Sequence, residues 1–329
     1  MASTIVPDEP SYPQEQPSRQ VNLPDRLRQL QWRTWRGILW RAGKGFIDHN
    51  CSDWAASLTY YSVLSLFPSA IVIVALVGLV SEGQAAVDTI LGILYDVGAR
   101  SVLDNDSFRT FIENTVLGQT SAGTLLSFGV VGALWSASGY VGGFTRASNA
   151  IYGVQEGRPF WRLRPAQILL TAAALVLLSI GAVLLAISGP AVDAVGNALN
   201  LGEAPRAIWG IAKWPVLVLV GMLLLALLFW IAPNVKQPRF RWLTVGGFVT
   251  LVVSALVSFG FGLYVANFAS YDRTYGSLGA VIAFLVWLYL INSAVMLGVE
   301  INAQVARGRA LQGGVKDPDP PLPPKDPAS

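Results

Sequence analysis

Residues 214–232 read Trp-Pro-Val-Leu-Val-Leu-Val-Gly-Met-Leu-Leu-Leu-Ala-Leu-Leu-Phe-Trp-Ile-Ala, a stretch without a charged side chain. A helix crosses the hydrocarbon core of a bilayer, about 30 Å thick, with about 20 apolar residues. Inside lipid, a helix also pairs its backbone amides and carbonyls within the segment, which an open strand cannot do. This stretch therefore predicts a transmembrane α-helix, which we extend to residues 208–232.

Five more stretches meet the same criterion, and they lie on both sides of the first one in the sequence. The six predicted spans are 55–80, 123–144, 166–187, 208–232, 243–265 and 277–299. Only 13% of the 329 residues are charged and 53% are apolar, whereas soluble domains carry about a quarter charged residues. The sequence therefore predicts an all-α fold, a polytopic membrane helix bundle with about six transmembrane helices.

The basic residues are distributed unevenly among the segments that connect these spans. With the N-terminus placed in the cytoplasm, 18 of the 23 lysines and arginines fall in cytoplasmic segments and five in outer ones. The cytoplasmic segments of membrane proteins carry an excess of basic residues. We therefore expect both termini to lie on the cytoplasmic side.

The composition of the flanking regions divides the chain into parts. Residues 1–22 are rich in Pro, Ser and Gln and are expected to be disordered. Residues 23–50 predict a basic amphipathic helix, 51–305 the six-helix transmembrane domain, and 306–329 a Pro-rich, extended and solvated cytoplasmic tail. The long outer loop 81–122 carries apolar residues at helical spacing, which predicts short amphipathic helices on the outer face.

The basic helix before the first span has two interpretations. On a helical wheel, Trp35, Ile38 and Ala42 lie on one side, with Arg33 and Arg36 on the other. Such a helix can lie in the headgroup region, where guanidinium groups meet lipid phosphates and indoles sit at the interface. The alternative is an ordinary positively charged anchor, which only orients the first span.

Enzyme classes that need a recognisable catalytic set find no support in this sequence. One cysteine, Cys51, and one histidine, His49, exclude multi-cysteine and histidine-based metal sites. Because His49 precedes the first span, it cannot form a Ser–His dyad within the membrane, and a Walker-type phosphate loop is absent. We expect no enzyme activity, no cofactor and no metal. The net charge of +3 gives no support to a nucleic-acid partner.

Polar side chains follow one face of the first span. Ser57, Tyr61, Ser65 and Pro68 are separated by four, four and three residues, which places them on the same side of a helix. The proline removes a backbone donor and usually kinks the helix. A polar face beside a kink predicts the wall of a transport cavity. The alternative is that these hydroxyls hold neighbouring helices together.

The second and sixth spans supply the remaining predicted cavity residues. Gly139 and Gly143 form a GxxxG pair, which is typical of close helix contacts and would also fit a homo-oligomer. Arg146 and Asn149 extend the same face of the second span toward the cytoplasm. The full set on these two spans is Ser136, Gly139, Gly143, Arg146, Asn149 and Asn292.

Three charged residues are predicted at the cytoplasmic ends of the spans. A guanidinium at membrane depth is unfavourable unless it is paired or hydrated. Arg146, Asp53 and Glu300 are therefore expected to line the inner mouth of the cavity, where Arg146 would hold an anionic group such as a phosphate. The alternative is a structural ion pair that locks the first, second and sixth spans together.

Several long motifs resemble the YihY/BrkB family, and together they cover roughly residues 45–305. They are Ala55-Ala-Ser-Leu-Thr-Tyr-Tyr-Ser-Val-Leu-Ser-Leu-Phe-Pro68, Leu134-Trp-Ser-Ala-Ser-Gly139, Ala150-Ile-Tyr-Gly-Val-Gln-Glu-Gly-Arg-Pro-Phe-Trp-Arg162, Phe229-Trp-Ile-Ala-Pro-Asn234 and Tyr264-Val-Ala-Asn-Phe-Ala-Ser-Tyr-Asp-Arg-Thr-Tyr-Gly-Ser-Leu-Gly-Ala280. The resemblance implies a multi-pass protein of the bacterial inner membrane. The family has carried a ribonuclease name, an association with virulence and suspicions of transport, none of which is a mechanism.

Two functions are compatible with these observations. The first is a transporter or flippase-like protein that moves an amphiphile, a lipid or a small solute without its own ATPase. The second is a non-catalytic membrane scaffold or envelope-assembly factor that binds lipids or partners. A water-accessible cavity lined by residues such as Ser57, Tyr61, Ser136 and Arg146 would favour transport. A dry bundle with an apolar outer patch over residues 85–117 would favour the scaffold.

Overall fold

A computed structural model of the protein describes residues 30–80, 91, 110, 122–186, 204–237, 244–267 and 277–327. Within these ranges the chain forms seven long α-helices and no β-strand. The helices are α1 (Trp32–Asp48), α2 (Cys51–Val80), α3 (Ala122–Tyr152), α4 (Phe160–Ala186), α5 (Ala204–Ile231), α6 (Val245–Asn267) and α7 (Ser277–Gln312). The predicted all-α fold is confirmed. The predicted disordered segment 1–22 and the predicted helices of the outer loop lie outside the described residues.

Four of the described helices are long and apolar enough to cross a bilayer. The qualifying segments are Phe160–Gly181, Trp209–Ile231, Val245–Tyr264 and Val281–Gln312. Their outward faces carry large apolar side chains, such as Leu219, which is 66% exposed, and Phe259, which is 70% exposed. Apolar faces of this kind are typical of helices that contact lipid. The count of six spans, which also requires α2 and α3, stays a prediction.

The helices α2 to α7 form a closed ring, in which each helix packs against the next one along the chain. The ring closes where α7 packs against α2, and further contacts join α2 to α4 and α3 to α7. The first helix, α1, lies outside the ring against α7 and α2. Because α7 touches α1, α2, α3 and α6, its side chains can connect several helices at once.

The core of the ring is built on a stacked aromatic pair. Phe144 of α3 and Phe229 of α5 lie with their ring centroids 5.8 Å apart and their planes 5° from parallel. Leu58 of α2 and Met296 and Val299 of α7 are buried in the same cluster. Offset aromatic packing and aliphatic burial therefore hold α2, α3, α5 and α7 at fixed positions around the ring.

The contact between α6 and α7 depends on two glycines. Gly246 of α6 lies directly against the backbone carbonyl of Gly298 of α7, so that a Cβ at position 246 would overlap it. The Oδ1 of Asn302 accepts a hydrogen bond from the Gly246 amide at 2.9 Å and so caps the start of α6. Thr250 donates from its hydroxyl to the carbonyls of Gly246 at 2.8 Å and Ala294 at 3.2 Å. The two helices are thereby joined by both close packing and hydrogen bonds.

The amphipathic helix α1 uses its apolar side against α7. Ile38 and Ala42 are buried, together with Ile301 and Val305 of α7, and Gly308 lies beside the Ile38 side chain. This contact takes up much of the apolar face that the sequence suggested for lipid. A second side of α1 remains open, and it carries exposed Trp32, Leu39, Trp40 and Ile47. The structure thus gives α1 a protein-facing side, and its position in the headgroup region stays a prediction.

The proline-rich tail is docked on the bundle near its end, over residues 323–325, whereas residues 314–317, 319 and 320 are exposed. Val235 pairs with Pro324 in an isolated β-bridge. The Lys236 amide donates to the carbonyl of Pro323 at 2.8 Å, and the Lys325 amide donates to the carbonyl of Asn234 at 3.1 Å. The prediction of a solvated tail is therefore wrong for this part. Its extended backbone finds partners among the free backbone groups that follow the end of α5.

Candidate functional site

A partly open cavity of about 360 Å³ lies between α2, α3, α4, α5 and α7. Most of its lining consists of Leu, Ile, Val and Ala side chains. The polar part of the lining is formed by Ser62, Ser65, Ser69, Tyr140, Thr171 and Asn292. Small-molecule sites have volumes of about 300–1,000 Å³ and combine apolar walls with a few polar groups. Because no charged side chain belongs to the described lining, the cavity suits an apolar or neutral group rather than an ion.

Asn292 of α7 is the centre of the polar wall. Its Oδ1 accepts a hydrogen bond from the Tyr140 hydroxyl at 3.0 Å. Its Nδ2 donates to the Thr59 hydroxyl at 3.2 Å and to that of Ser62 at 3.5 Å. The Asn292 side chain is buried, so these bonds satisfy an amide that would otherwise be unpaired away from water. One residue of α7 thereby connects α2 and α3 at the edge of the cavity.

The hydroxyl groups of the cavity wall present hydrogen-bond acceptors to its interior. Ser62 donates to the Leu58 carbonyl at 2.8 Å, Ser65 to the Tyr61 carbonyl at 2.7 Å, and Thr171 to the Gln167 carbonyl at 2.8 Å. A hydroxyl has one proton and two lone pairs. Since each of these protons is used by a backbone carbonyl, a ligand would meet lone pairs. A bound molecule with neutral donors, such as hydroxyl or amide groups, and an apolar chain fits this wall.

Tyr61 and Arg146 form a second polar contact, one helical turn from Ser65. The Arg146 guanidinium donates to the Tyr61 hydroxyl at 3.0 Å and lies 5.6 Å from the centroid of the ring. Gly143 and Gly139 leave space for the ring, since a Cβ at position 143 would lie 2.9 Å from it. The Arg146 side chain is exposed. It can therefore reach an anionic group while Tyr61 holds it beside the α2–α3 contact.

The structure distributes the predicted cavity residues over three places. Ser65 and Asn292 line the cavity, and Tyr61, Gly139, Gly143 and Arg146 form the neighbouring contact between α2 and α3. Asn149 belongs to a separate group of polar residues where the tail docks. The remaining three lie outside these groups: Ser57 and Pro68 are half-buried, and Ser136 is exposed.

The three charged residues predicted at the inner mouth have separate partners. Glu300 is completely buried, and its carboxylate lies 2.7 Å from His49 Nδ1 and 2.9 Å from Gln304 Nε2. Gly45 of α1 leaves space for this carboxylate, because a Cβ there would overlap it. Asp53 is exposed. Among the described residues, no ion pair joins Arg146, Asp53 and Glu300. Their role at a cavity mouth stays a prediction.

The contact between His49 and Glu300 makes the stability of the protein sensitive to pH. The hydrogen bond to Glu300 raises the pKa of His49 above its ordinary value of 6.5, although burial acts in the opposite direction. Because the pKa of His49 is raised in the folded state, the contact between His49 and Glu300 contributes fully to stability below pH 6.5. This contribution is lost as the pH rises through the pKa of His49 in the folded protein.

We therefore expect the difference in melting temperature between the wild type and His49→Gln to shrink as the pH is raised from 5.5 to 8.5. Thermal unfolding of both proteins in one detergent, at several pH values, measures this difference. His49→Gln keeps a polar side chain of similar size but cannot take up a proton. A difference in melting temperature that stays constant over this pH range would contradict the raised pKa of His49.

A group of polar residues at the end of the bundle connects two loops and the tail; we call it the tail clasp. Arg158 forms an ion pair with Glu156 at 2.7 Å and donates to the carbonyls of Ile231 at 3.2 Å and Ala232 at 2.7 Å. Asn149 also donates to Glu156 at 3.0 Å. Burial acts to raise the pKa of Glu156, but the hydrogen bonds and charge of Arg158 hold it below its ordinary value.

Asn234 and Lys325 complete the tail clasp. The Asn234 side chain donates to the carbonyls of Gln155 at 2.9 Å and Asp326 at 2.7 Å, and accepts from the Asp326 amide at 3.1 Å. The Lys325 ammonium donates to the carbonyls of Trp230 at 3.1 Å and Pro233 at 3.0 Å, close to the negative end of the α5 dipole. Burial lowers the pKa of Lys325 to about 8. The clasp thus ties the tail to the ends of α3 and α5.

Several of these residues were missed as functional candidates in the sequence. Ser62 and Ser69 lie three residues before and four residues after the predicted cavity residue Ser65, a spacing that could have indicated them as part of the cavity wall. Tyr140 carried no signal of its own, because one tyrosine in an apolar span is common. Glu156, Arg158 and Asn234 lie inside motifs that carried the family resemblance, without any indication that they meet in space.

Comparison with known protein families places the whole bundle in one of them. The model of the family described as "Virulence factor BrkB" matches residues 42–321. Among the described residues, no group of three His, Cys, Asp or Glu side chains is arranged to hold a metal ion. No solved structure is significantly similar to the chain.

Individual relatives extend the same similarity. YfkH of Bacillus subtilis (strain 168), whose name calls it ribonuclease-like, is 32% identical over 264 residues, which are 80% of this chain and 93% of that protein. A UPF0761 membrane protein of Rhodospirillum centenum is 31% identical over 277 residues, 83% of this chain and 58% of the relative. Another from Ralstonia nicotianae is 31% identical over 289 residues, 87% and 60% of the two chains. The chain thus spans about three fifths of these two UPF0761 relatives.

Proposed function

Because this chain belongs to the BrkB family of membrane proteins, we propose that it is a transporter that moves an amphiphilic molecule across the bilayer. The observation that supports this function is the cavity of about 360 Å³, with its apolar walls and its hydroxyl-lined side. An apolar chain would occupy the aliphatic part, and a polar group with hydrogen-bond donors would face Ser62, Ser65 and Asn292. No ATPase motif is present in the sequence, so the movement would follow an existing gradient.

The headgroup of such an amphiphile would meet Arg146 on its way to the cavity. Arg146 is exposed and is held by Tyr61, which lies one turn from the cavity residue Ser65. A guanidinium binds phosphate or carboxylate groups with two parallel hydrogen bonds. The headgroup of the amphiphile would then lie at the charged Arg146, while its apolar chain occupies the uncharged cavity.

We propose further that the protein lies in the bacterial inner membrane with both termini in the cytoplasm. The excess of lysine and arginine in the segments at the tail end of the bundle supports this orientation. Arg146 and the tail clasp would then face the cytoplasm, and the long loop 81–122 the outer side. The ribonuclease-like name of YfkH remains a statement about that relative.

Filling the cavity tests the function directly. Ala174 of α4 lines the cavity, whereas Val176 on the same helix is 43% exposed and is not part of the lining. We expect Ala174→Phe to slow the protein-dependent exchange of labelled phospholipid or lysophospholipid between leaflets of proteoliposomes by about tenfold. Val176→Phe adds the same ring on the outer face and should leave the rate unchanged. Arg146→Gln should slow exchange of anionic lipids more than that of zwitterionic ones.

The outcomes of this experiment are distinct. Exchange no faster than in protein-free liposomes would remove lipid transport and leave small-solute transport or the non-catalytic scaffold. Exchange that depends on the protein but is equally fast in Ala174→Phe and Val176→Phe would place the path outside this cavity.

A further inference from the structure

A small pocket between α1 and α7 collects positive charge at the tail end of the bundle. It has a volume of about 220 Å³ and is separate from the central cavity. Its basic lining residues are Arg41, Lys44 and Arg307, and His49 lies beside them. The described acidic side chain in the lining is Asp48, which faces Lys44 at 3.9 Å on the exposed side. We call this the α1–α7 pocket.

Arg41 lacks a negative partner within the part of the chain that the structure describes. Its Nε donates to the neutral Gln304 amide oxygen at 3.3 Å. Burial, and then the nearby charge of Arg307, lower its pKa from the ordinary value. Two guanidinium groups held close together repel each other unless an anion lies between them. The pocket therefore has the charge and the space for an anion.

The position of Arg41 is determined by the residues behind it. Gln304 accepts from Arg41 through Oε1 and donates through Nε2 to the buried Glu300 carboxylate at 2.9 Å. Glu300 also holds His49 at 2.7 Å. The negative charge of Glu300 is engaged by these two neighbours and is fully buried. The lining thus presents the cations Arg41, Lys44 and Arg307. Glu300 lies behind Gln304 and His49 and is not part of the lining.

We propose that the α1–α7 pocket binds a phosphate group, with Arg41 and Arg307 as its main ligands and Lys44 as an additional charge. Guanidinium groups match the geometry of phosphate oxygens and bind them through two hydrogen bonds each. The phosphate could belong to a lipid headgroup or to a free phosphate compound, since the shared chemistry is the same. This site would bind its ligand whether or not the central cavity transports one.

The tail supplies a competing anion. Asp319 accepts a hydrogen bond from the Arg307 guanidinium at 2.7 Å. This carboxylate occupies part of the hydrogen-bonding capacity that a phosphate would use. Removing its charge should therefore strengthen phosphate binding, whereas removing the charge of Arg41 should weaken it. The opposite signs of these two effects separate binding from a general loss of folding.

The test is calorimetric titration of the purified full chain in detergent with inorganic phosphate and, separately, with dihexanoyl phosphatidic acid. We expect Arg41→Gln to weaken binding by at least about tenfold, the scale of one lost charge-assisted hydrogen bond. Asp319→Asn should tighten binding by about two- to fivefold, as for an exposed ion pair. Lys316→Gln removes an exposed charge outside the pocket and is the matched control, without effect.

Each result decides between defined alternatives. Binding of both ligands with the expected effects of the variants supports a site for free phosphate compounds, and binding of phosphatidic acid alone supports a lipid headgroup site. Absence of binding for both ligands would overturn the proposal. Binding that is equally strong in Arg41→Gln and Lys316→Gln would overturn it as well, since non-specific attraction to net charge would explain it.

Discussion

Asn234→Leu is expected to lower the free energy of unfolding by about 3 kcal/mol, because three hydrogen bonds of a fully buried side chain are lost together. Two of these bonds join Asn234 to Asp326 of the tail, and the third joins it to the carbonyl of Gln155. Leucine has a similar volume but leaves the carbonyls of Gln155 and Asp326 without this partner. Thermal or denaturant unfolding in a single detergent measures the loss.

Most of the loss of stability in Asn234→Leu is expected to come from the two hydrogen bonds to the tail. In a chain that ends at Lys316, the bonds between Asn234 and Asp326 are already absent. The same substitution should then lower the stability by only about 1 kcal/mol, the value of the remaining bond. The difference between the two backgrounds isolates the contribution of the docked tail to the clasp.

Gln155→Leu provides the matched control for this experiment. Its side chain is exposed, while its backbone carbonyl, which accepts from Asn234, is kept in the variant. We expect a change within about 0.5 kcal/mol. Equal losses for Gln155→Leu and Asn234→Leu would show that the hydrogen bonds of Asn234 do not stabilise the protein. An unchanged loss after removal of the tail would show that the docked tail contributes nothing through Asn234.

The positions of the helices could be predicted from hydropathy, because lipid imposes a minimum length on each apolar segment. The predicted span 208–232 corresponds to α5, Ala204–Ile231, and 243–265 to α6, Val245–Asn267. The last helix was predicted to end at residue 299 but continues to Gln312. Its extension carries Glu300 and Gln304, and α1 covers it. Hydropathy could not predict this extension because protein rather than lipid contacts it.

The polar networks could not be predicted, because they depend on which helices become neighbours. Asn292 was recognised as a polar residue within a span, but its partners Tyr140 and Thr59 are 152 and 233 residues away in the sequence. Arg146 was given two acidic candidates as partners. In the structure, the Arg146 guanidinium instead donates to the hydroxyl of Tyr61, a residue that was predicted to line the cavity wall. Helical periodicity identifies a face of one helix and leaves the facing residue undetermined.

The contacts of the proline-rich tail likewise could not be predicted from the pattern of the tail itself. Its proline content predicts an extended backbone, which fits the β-bridge between Val235 and Pro324. Proline content says nothing about whether that backbone is solvated. Docking depends on Asn234 and Lys325, two polar residues that composition alone would assign to the surface.

The spacing of glycines in the sequence did not identify which glycines lie against another backbone in the structure. The pair Gly139 and Gly143 was identified by its spacing, and in the structure these residues face the ring of Tyr61 rather than another glycine. Among the described helices, a close approach of two backbones instead involves Gly246 and Gly298, which lie on different helices and form no motif together. A short-range pattern cannot find such a pair, because the two residues become neighbours only when α6 and α7 pack.

Gly246→Ala is therefore expected to destabilise the protein by about 2 to 3 kcal/mol, the scale of overpacking in a tight contact. The added methyl group would overlap the Gly298 carbonyl and the Asn302 amide, and a backbone carbonyl cannot rotate away as a side chain can. Displacement of α6 would also break the bond from the Gly246 amide to Asn302. The loss should appear as a lower melting temperature in detergent.

Gly260→Ala on the same helix is the matched control, because nothing lies within 4 Å of a Cβ at that position. This variant is expected to be as stable as the wild type or up to about 1 kcal/mol more stable, since it adds a methyl group to open space and alanine favours a helix over glycine. A melting temperature that falls equally in both variants would mean that glycine flexibility, rather than the contact with α7, determines the cost. A fall confined to Gly246→Ala would identify the close contact between α6 and α7 as the cause of the loss.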